Sequence, residues 1–212
     1  MIVTPDQWLA FLAAAILITL SPGPDNLMVL SLGIARGRRQ GMVFGLGCAL
    51  GCITHTLLAA LGISALIAAS PLAFTALKLS GGAYLIWLGW QAIRSRGGSL
   101  DAGKAKGRNE PLAVLFRRGL IANAINPKVV LFFLAFLPQF VVTSRGHVGL
   151  QTLILGLTFT LQGAVLFGSL GYFAGHVGAW FNRSPRAGMW LDRIAGSIFI
   201  ALGLRLVLAP QR

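Results

Sequence analysis

Two short polar interruptions in apolar sequence hold the residues best suited to chemistry. The first reads Ser21-Pro22-Gly23-Pro24-Asp25-Asn26, and the second Asn123-Ala124-Ile125-Asn126-Pro127-Lys128. A proline inside a helix removes a backbone donor and clashes with the preceding turn. The residue before it is pushed away from helical angles. Peptide groups freed in this way cannot face hydrocarbon, so they must face protein or a wet cavity. A half-helix that begins at such a break offers N–H groups and a partial positive charge, and one that ends there offers carbonyls. Together these suit a small zwitterion. Proline kinks often serve packing alone, but a carboxylate in one break and an ammonium in the other favour a site.

Asp25 is the one carboxylate placed well inside an apolar stretch, where ionisable groups are costly and usually functional. Burial favours its neutral form and a nearby lysine opposes that, so it can take a proton on one side and release it on the other. Capping the half-helix that starts at the break is its simpler role. Lys128 and Lys78 are candidates to pair with Asp25 or with a substrate carboxylate, against snorkelling toward head groups. Asn26, Asn123 and Asn126 either satisfy freed backbone groups or bind substrate, and Gln162 is a further candidate for the cavity wall. Cys48, Cys52 and His55 share one helical face, a spacing open to a soft metal. Buried small residues packed beside Gly41, Gly45, Gly47 and Gly51 are the favoured reading there. His55 stands as a candidate proton relay beside Asp25. No metal site and no cofactor is expected.

These residues need elements to hold them. The chain has 212 residues, 56% hydrophobic and 11% charged, with a mean hydropathy of +0.77. A soluble domain carries about a quarter charged residues, so the chain reads as an integral membrane protein. Six apolar stretches run from about 8–32, 41–69, 71–93, 119–140, 150–180 and 190–208. They are continuous rather than alternating, which predicts helices and not barrel strands. The net charge of +13 would suggest nucleic-acid binding in a soluble protein; here it orients the chain, and no nucleic-acid partner is expected. Arg36, Arg38 and Arg39, seven basic residues between Arg94 and Arg118, and Arg183, Arg186 and Arg193 fall on one side. The positive-inside rule places that side in the cytoplasm and both termini outside. The first stretch follows Asp6 and no basic residue, unlike a cleaved signal.

The expected fold class is therefore all-α, a polytopic membrane protein of six transmembrane helices in two inverted three-helix repeats. One transmembrane domain spans 1–212: a first repeat at 1–93, a basic glycine-rich cytoplasmic linker at 94–118 and a second repeat at 119–212. Three helices per half make the second half enter from the opposite side. The two breaks then occupy matching positions, the pattern that marks a transporter site near the midplane.

The residues Leu20-Ser-Pro-Gly-Pro-Asp-Asn26, Lys78-Leu-Ser-Gly-Gly-Ala-Tyr-Leu-Ile-Trp-Leu-Gly89, Asn126-Pro-Lys128 and Leu131-Phe-Phe-Leu-Ala-Phe-Leu-Pro-Gln-Phe140 resemble the LysE/RhtB-type family of amino-acid exporters. The resemblance covers essentially the whole chain. It implies a secondary transporter of the cytoplasmic (inner) membrane that exports an amino acid, with protons as coupling partners. It leaves the amino acid open among homoserine, threonine, lysine, leucine and others. A metal-cation exporter and a membrane thiol-disulfide enzyme using Cys48 and Cys52 are the alternatives. No phosphate loop, nucleophile triad or HExxH sequence is present, so the reading is a carrier and not an enzyme.

Overall fold

The computed structural model describes residues 1–21, 23–94, 110–183 and 185–208. Pro22 and most of the basic linker lie outside the described residues. Nine α-helices are found among those described: α1 Pro5–Leu20, α2 Pro24–Arg36, α3 Arg38–Ala69, α4 Pro71–Arg94, α5 Leu112–Ala124, α6 Pro127–Leu131, α7 Val148–Tyr172, α8 Ala174–Arg183 and α9 Pro185–Leu208. The described residues contain no strand, and the protein is all-helical. α5 begins at Leu112, inside the segment read from sequence as linker.

Proline sets the helix starts. Pro5, Pro24 and Pro127 each occupy the first turn of their helix, where a missing N–H costs nothing and the fixed φ is already helical. α1 and α5 end shortly before Pro24 and Pro127, so the first and fourth apolar stretches are bent pairs. α1 meets α2 at 57°, and Leu112–Ala124 meets Pro127–Phe140 at 49°. Beyond α6 the chain widens into a π-turn at Phe132–Phe136 and tightens into a 3₁₀ turn at Leu137–Phe140. The fifth stretch, expected to run unbroken to Trp180, divides at Phe173 into α7 and α8.

Among the described residues, Arg38–Gly62 and Val148–Tyr172 are each long and apolar enough to cross a membrane, and each bent pair qualifies as one span. That gives two to four spans where the sequence leads to six. The outer surface is apolar, with Leu57, Leu61, Leu161 and Val165 all exposed. Exposed apolar side chains on helices long enough to span a bilayer suit a lipid environment.

Backbones approach closely where glycines meet. A Cβ on Gly47 would lie 2.2 Å from the Phe116 carbonyl, and one on Gly119 2.2 Å from the Phe44 carbonyl, which seats α5 on α3. Gly89 and Gly196 face each other's carbonyls in the same way, and Gly82 meets Gly203. Those pairings run α4 antiparallel to α9. Gly45 against Phe167 and Gly156 against Thr56 likewise run α3 antiparallel to α7. α3 packs most extensively on α7, and α4 on α9.

Two apolar clusters result. One gathers Phe11, Ile18, Phe132, Phe133, Phe136 and Phe159, and the other Val29, Leu32, Phe44, Leu115 and Phe167. A layer of buried polar residues separates them, supplied mainly by the two breaks.

Candidate functional site

The two breaks meet, and each supplies what the other lacks. α1 ends at Leu20, leaving the Ser21 carbonyl without a helical partner. The Lys128 ammonium donates to that carbonyl at 3.0 Å and to the Ser21 hydroxyl at 3.1 Å. In the other direction, the Asn123 amide donates to Asp25 Oδ2 at 3.1 Å. Lys128 therefore holds the C-terminal end of one half-helix, and Asn123 holds the carboxylate at the start of the next. Asp25 and Lys128 are both buried. Asp25 sits in the first turn of α2, at the positive end of the helix dipole.

Local hydrogen bonds fix each break. The Asn26 side chain donates to the Thr19 carbonyl at 2.8 Å, and the Ser21 hydroxyl donates to the Ile18 carbonyl at 2.6 Å. Asn126 caps α6, its Oδ1 accepting from the Lys128 N–H at 3.1 Å. Gly23, the N-cap of α2, gives no side-chain cap. It matters for space instead, since a Cβ there would come 3.0 Å from the Lys128 Nζ.

Asn123 is the hub of a further set of contacts. The Cys52 thiol donates to its Oδ1 at 3.4 Å, and His55 Nε2 lies 3.2 Å from its carbonyl oxygen. His55 thus reaches the Asp25 side only through Asn123. Cys48 and Cys52 are both buried free thiols.

Between the breaks lies a small cavity of about 20 Å³, walled by Ile18, Thr19, Asp25, Asn26, Asn123, Lys128, Val129, Phe159 and Phe167. That is room for about one water and not for a larger ligand. The Gln162 amide donates to the Thr19 hydroxyl at 2.8 Å and to the Phe159 carbonyl at 2.9 Å, so it braces two wall residues from behind. Lys78 is buried on α4 but is not part of the wall. Pro24 and Pro127 start the half-helices without contributing polar atoms. Asp192 is buried on α9.

Side-chain networks lie toward both ends of the molecule, on either side of this cavity. At the α1 N-terminal end the fully buried Gln151 donates to the Val142 and Gly146 carbonyls and accepts from the Val142 N–H and from Gln7. Gln7 also donates to the Phe140 carbonyl and accepts from Arg145. Beneath it, Phe11, Phe132, Phe136 and Phe140 form a contiguous aromatic plug. At the opposite end Glu110 accepts both carboxylate bonds from Arg118, at 2.9 and 2.7 Å, and lies 3.5 Å from Arg36 at the end of α2. Arg118, foremost, and Arg36 hold the Glu110 carboxyl below its ordinary range.

The wall residues Thr19, Ile18, Val129, Phe159 and Phe167 and the Gln7–Gln151 lacing are not singled out by sequence. Thr19 carried a usable signal, being polar and two residues before the break. Gln151 did not, because a glutamine at a helix start also suits a solvated end.

Residues 16–209 match the model of the LysE type translocator family. The chain is 35% identical to an uncharacterized membrane protein of Vibrio cholerae, over 95% of this chain and 97% of that one. It is 32% identical to the homoserine/homoserine lactone efflux protein of Salmonella typhimurium, over 97% and 98%. Identity to the leucine efflux protein of an Enterobacter species is 30%, over 92% of each. No solved structure matches the chain.

Proposed function

The chain belongs to the LysE type translocator family, and from that premise and the geometry of the breaks we propose that it exports an amino acid or a closely related zwitterion across the cytoplasmic membrane. The observation that carries this reading is the pair Asp25 and Lys128, opposite charges that line one buried cavity while each is held by a neutral partner. A substrate carboxylate takes the place of Ser21 on Lys128, and its ammonium takes the place of Asn123 on Asp25. The protein groups let go are then those that water or a moved half-helix satisfies. The relatives named for homoserine and leucine efflux support an amino-acid cargo.

The size of the cavity supports alternating access. At about 20 Å³ it holds no amino acid, so one end must open to load it and the other to release it. The Glu110 clasp closes the side that the basic residues assign to the cytoplasm, and the Gln7–Gln151 lacing closes the outside. Six spans in two inverted halves suit this motion. α4 and α9, at 24 residues each, reach about 36 Å at 1.5 Å per residue, enough to cross. Supporting the inversion, α3 and α7 pack antiparallel, as do α4 and α9, and the two broken spans meet at their breaks. A pseudo-two-fold axis brings counterparts together in this way. The linker at 94–118 joins the halves on the cytoplasmic side, with both termini outside.

Proton coupling falls to Asp25, with His55 behind Asn123 as the relay. An external proton that neutralises Asp25 releases the substrate ammonium and permits the return step. In proteoliposomes, a proton gradient directed opposite to the amino-acid flux should accelerate that flux in the native protein. Asp25→Asn should lose the acceleration, and its residual exchange of labelled for unlabelled substrate should be slower than native because the substrate ammonium has lost its counter-ion. A gradient that never alters native flux removes the coupling, and no amino-acid flux at all removes the exporter.

A further inference from the structure

Resting on that exporter reading, we infer that the cargo carries an uncharged side chain, because the cavity holds one carboxylate and one ammonium and nothing to balance a third charge. Among the described wall residues only Asp25 and Lys128 are charged. The α-ammonium and α-carboxylate of an amino acid engage both. What remains for the side chain is Ile18, Val129, Phe159 and Phe167, with neutral Thr19 beside them. Phe159 is itself held by Phe132 at 4.6 Å and Phe133 at 5.3 Å between ring centres, so that side of the wall is an extended apolar surface.

The neutral polar groups cannot substitute for a counter-ion. The Asn26 amide is engaged with the Thr19 carbonyl, the Asn123 oxygen accepts from Cys52, and the Asn123 N–H that the cargo frees from Asp25 carries no net charge. A lysine-like side chain would bury an unpaired cation against phenylalanine, and a glutamate-like one an unpaired anion. Taking an unpaired ion out of water is strongly unfavourable, which translates into discrimination of at least about a hundredfold. The wall fixes charge and not length, since the side-chain space must open before any cargo enters.

The test is counterflow through the native protein in proteoliposomes, with leucine, homoserine, lysine and glutamate supplied in turn. Leucine or homoserine should move at least about a hundred times faster than lysine or glutamate. Thr19→Asp adds a third charge to the wall while keeping an oxygen that accepts from Gln162, and Thr19→Asn is the uncharged variant of the same size. Thr19→Asp should raise lysine relative to leucine by tenfold or more, and Thr19→Asn should not. Lysine or glutamate moving as fast as leucine through the native protein overturns this inference and leaves the exporter standing. If none of the four moves, the exporter reading fails and takes this inference with it. Should Thr19→Asp not fold, the native panel decides alone.

Discussion

The two breaks perform the same backbone manoeuvre with opposite chemistry. At the first, the new half-helix starts at Gly23-Pro24, has no side-chain cap, and places a carboxylate in its opening turn. At the second, Asn126 caps the new half-helix and an ammonium follows the proline. The start of the second half-helix is therefore capped from within, whereas the polar groups of the first look across to the second: the Ser21 carbonyl is met by Lys128 and Asp25 by Asn123. A break that leans on another is the one a competing ligand can most readily release. In the proposed transport cycle, cargo exchanges with protein at the uncapped end and the capped end supplies the fixed cation.

If that asymmetry holds, removing the cation has the largest effect. Lys128→Met strips the Ser21 carbonyl of its donor and removes the cation that would take the substrate carboxylate, so amino-acid flux in proteoliposomes should fall at least about a hundredfold. Gly23→Ala probes the dependence more gently. Its Cβ would press on the Lys128 Nζ from 3.0 Å, the flexible end of a side chain, so the protein should fold normally while substrate affinity in a binding titration drops by about tenfold or less.

The smallest effect belongs to the clasp that ties the far ends of α2 and α5. Glu110 is at the surface, and exposed ion pairs contribute little. Glu110→Gln should change flux by less than about fivefold. Its carboxyl is held below the ordinary range by Arg118 and Arg36. The contact is thus present at neutral pH and lost as pH falls through that lowered value. The difference in Tm between the native protein and Glu110→Gln should accordingly vanish only in acid, below the usual glutamate range.

The breaks themselves were legible because proline acts locally: Pro24 and Pro127 stop and start helices wherever the rest of the chain goes. The helical class and apolar exterior were legible from composition for the same reason. The partnerships were not. Nothing near Ser21 in sequence indicates that its carbonyl takes an ammonium from 107 residues away, and Asn123 reads equally as a cap or a contact until Asp25 lies beside it. The π-turn at Phe132–Phe136 hides in an apolar run whose spacing suits an ordinary helix, and the division at Phe173 carries no proline to announce it. Lys78 shows the converse. Its place in a motif marks it, but burial on α4 does not put it in the cavity wall.

The claim beneath all of this is that one small molecule bridges Asp25 and Lys128 through both of its charged ends. Competition against leucine counterflow tests it without altering the protein, using leucine, 3-methylbutylamine and 4-methylpentanoate, which share the same alkyl group. Leucine alone should compete, with the amine and the acid each weaker by about a hundredfold or more. Equal competition by either single-charge compound would contradict a site built from two opposite charges.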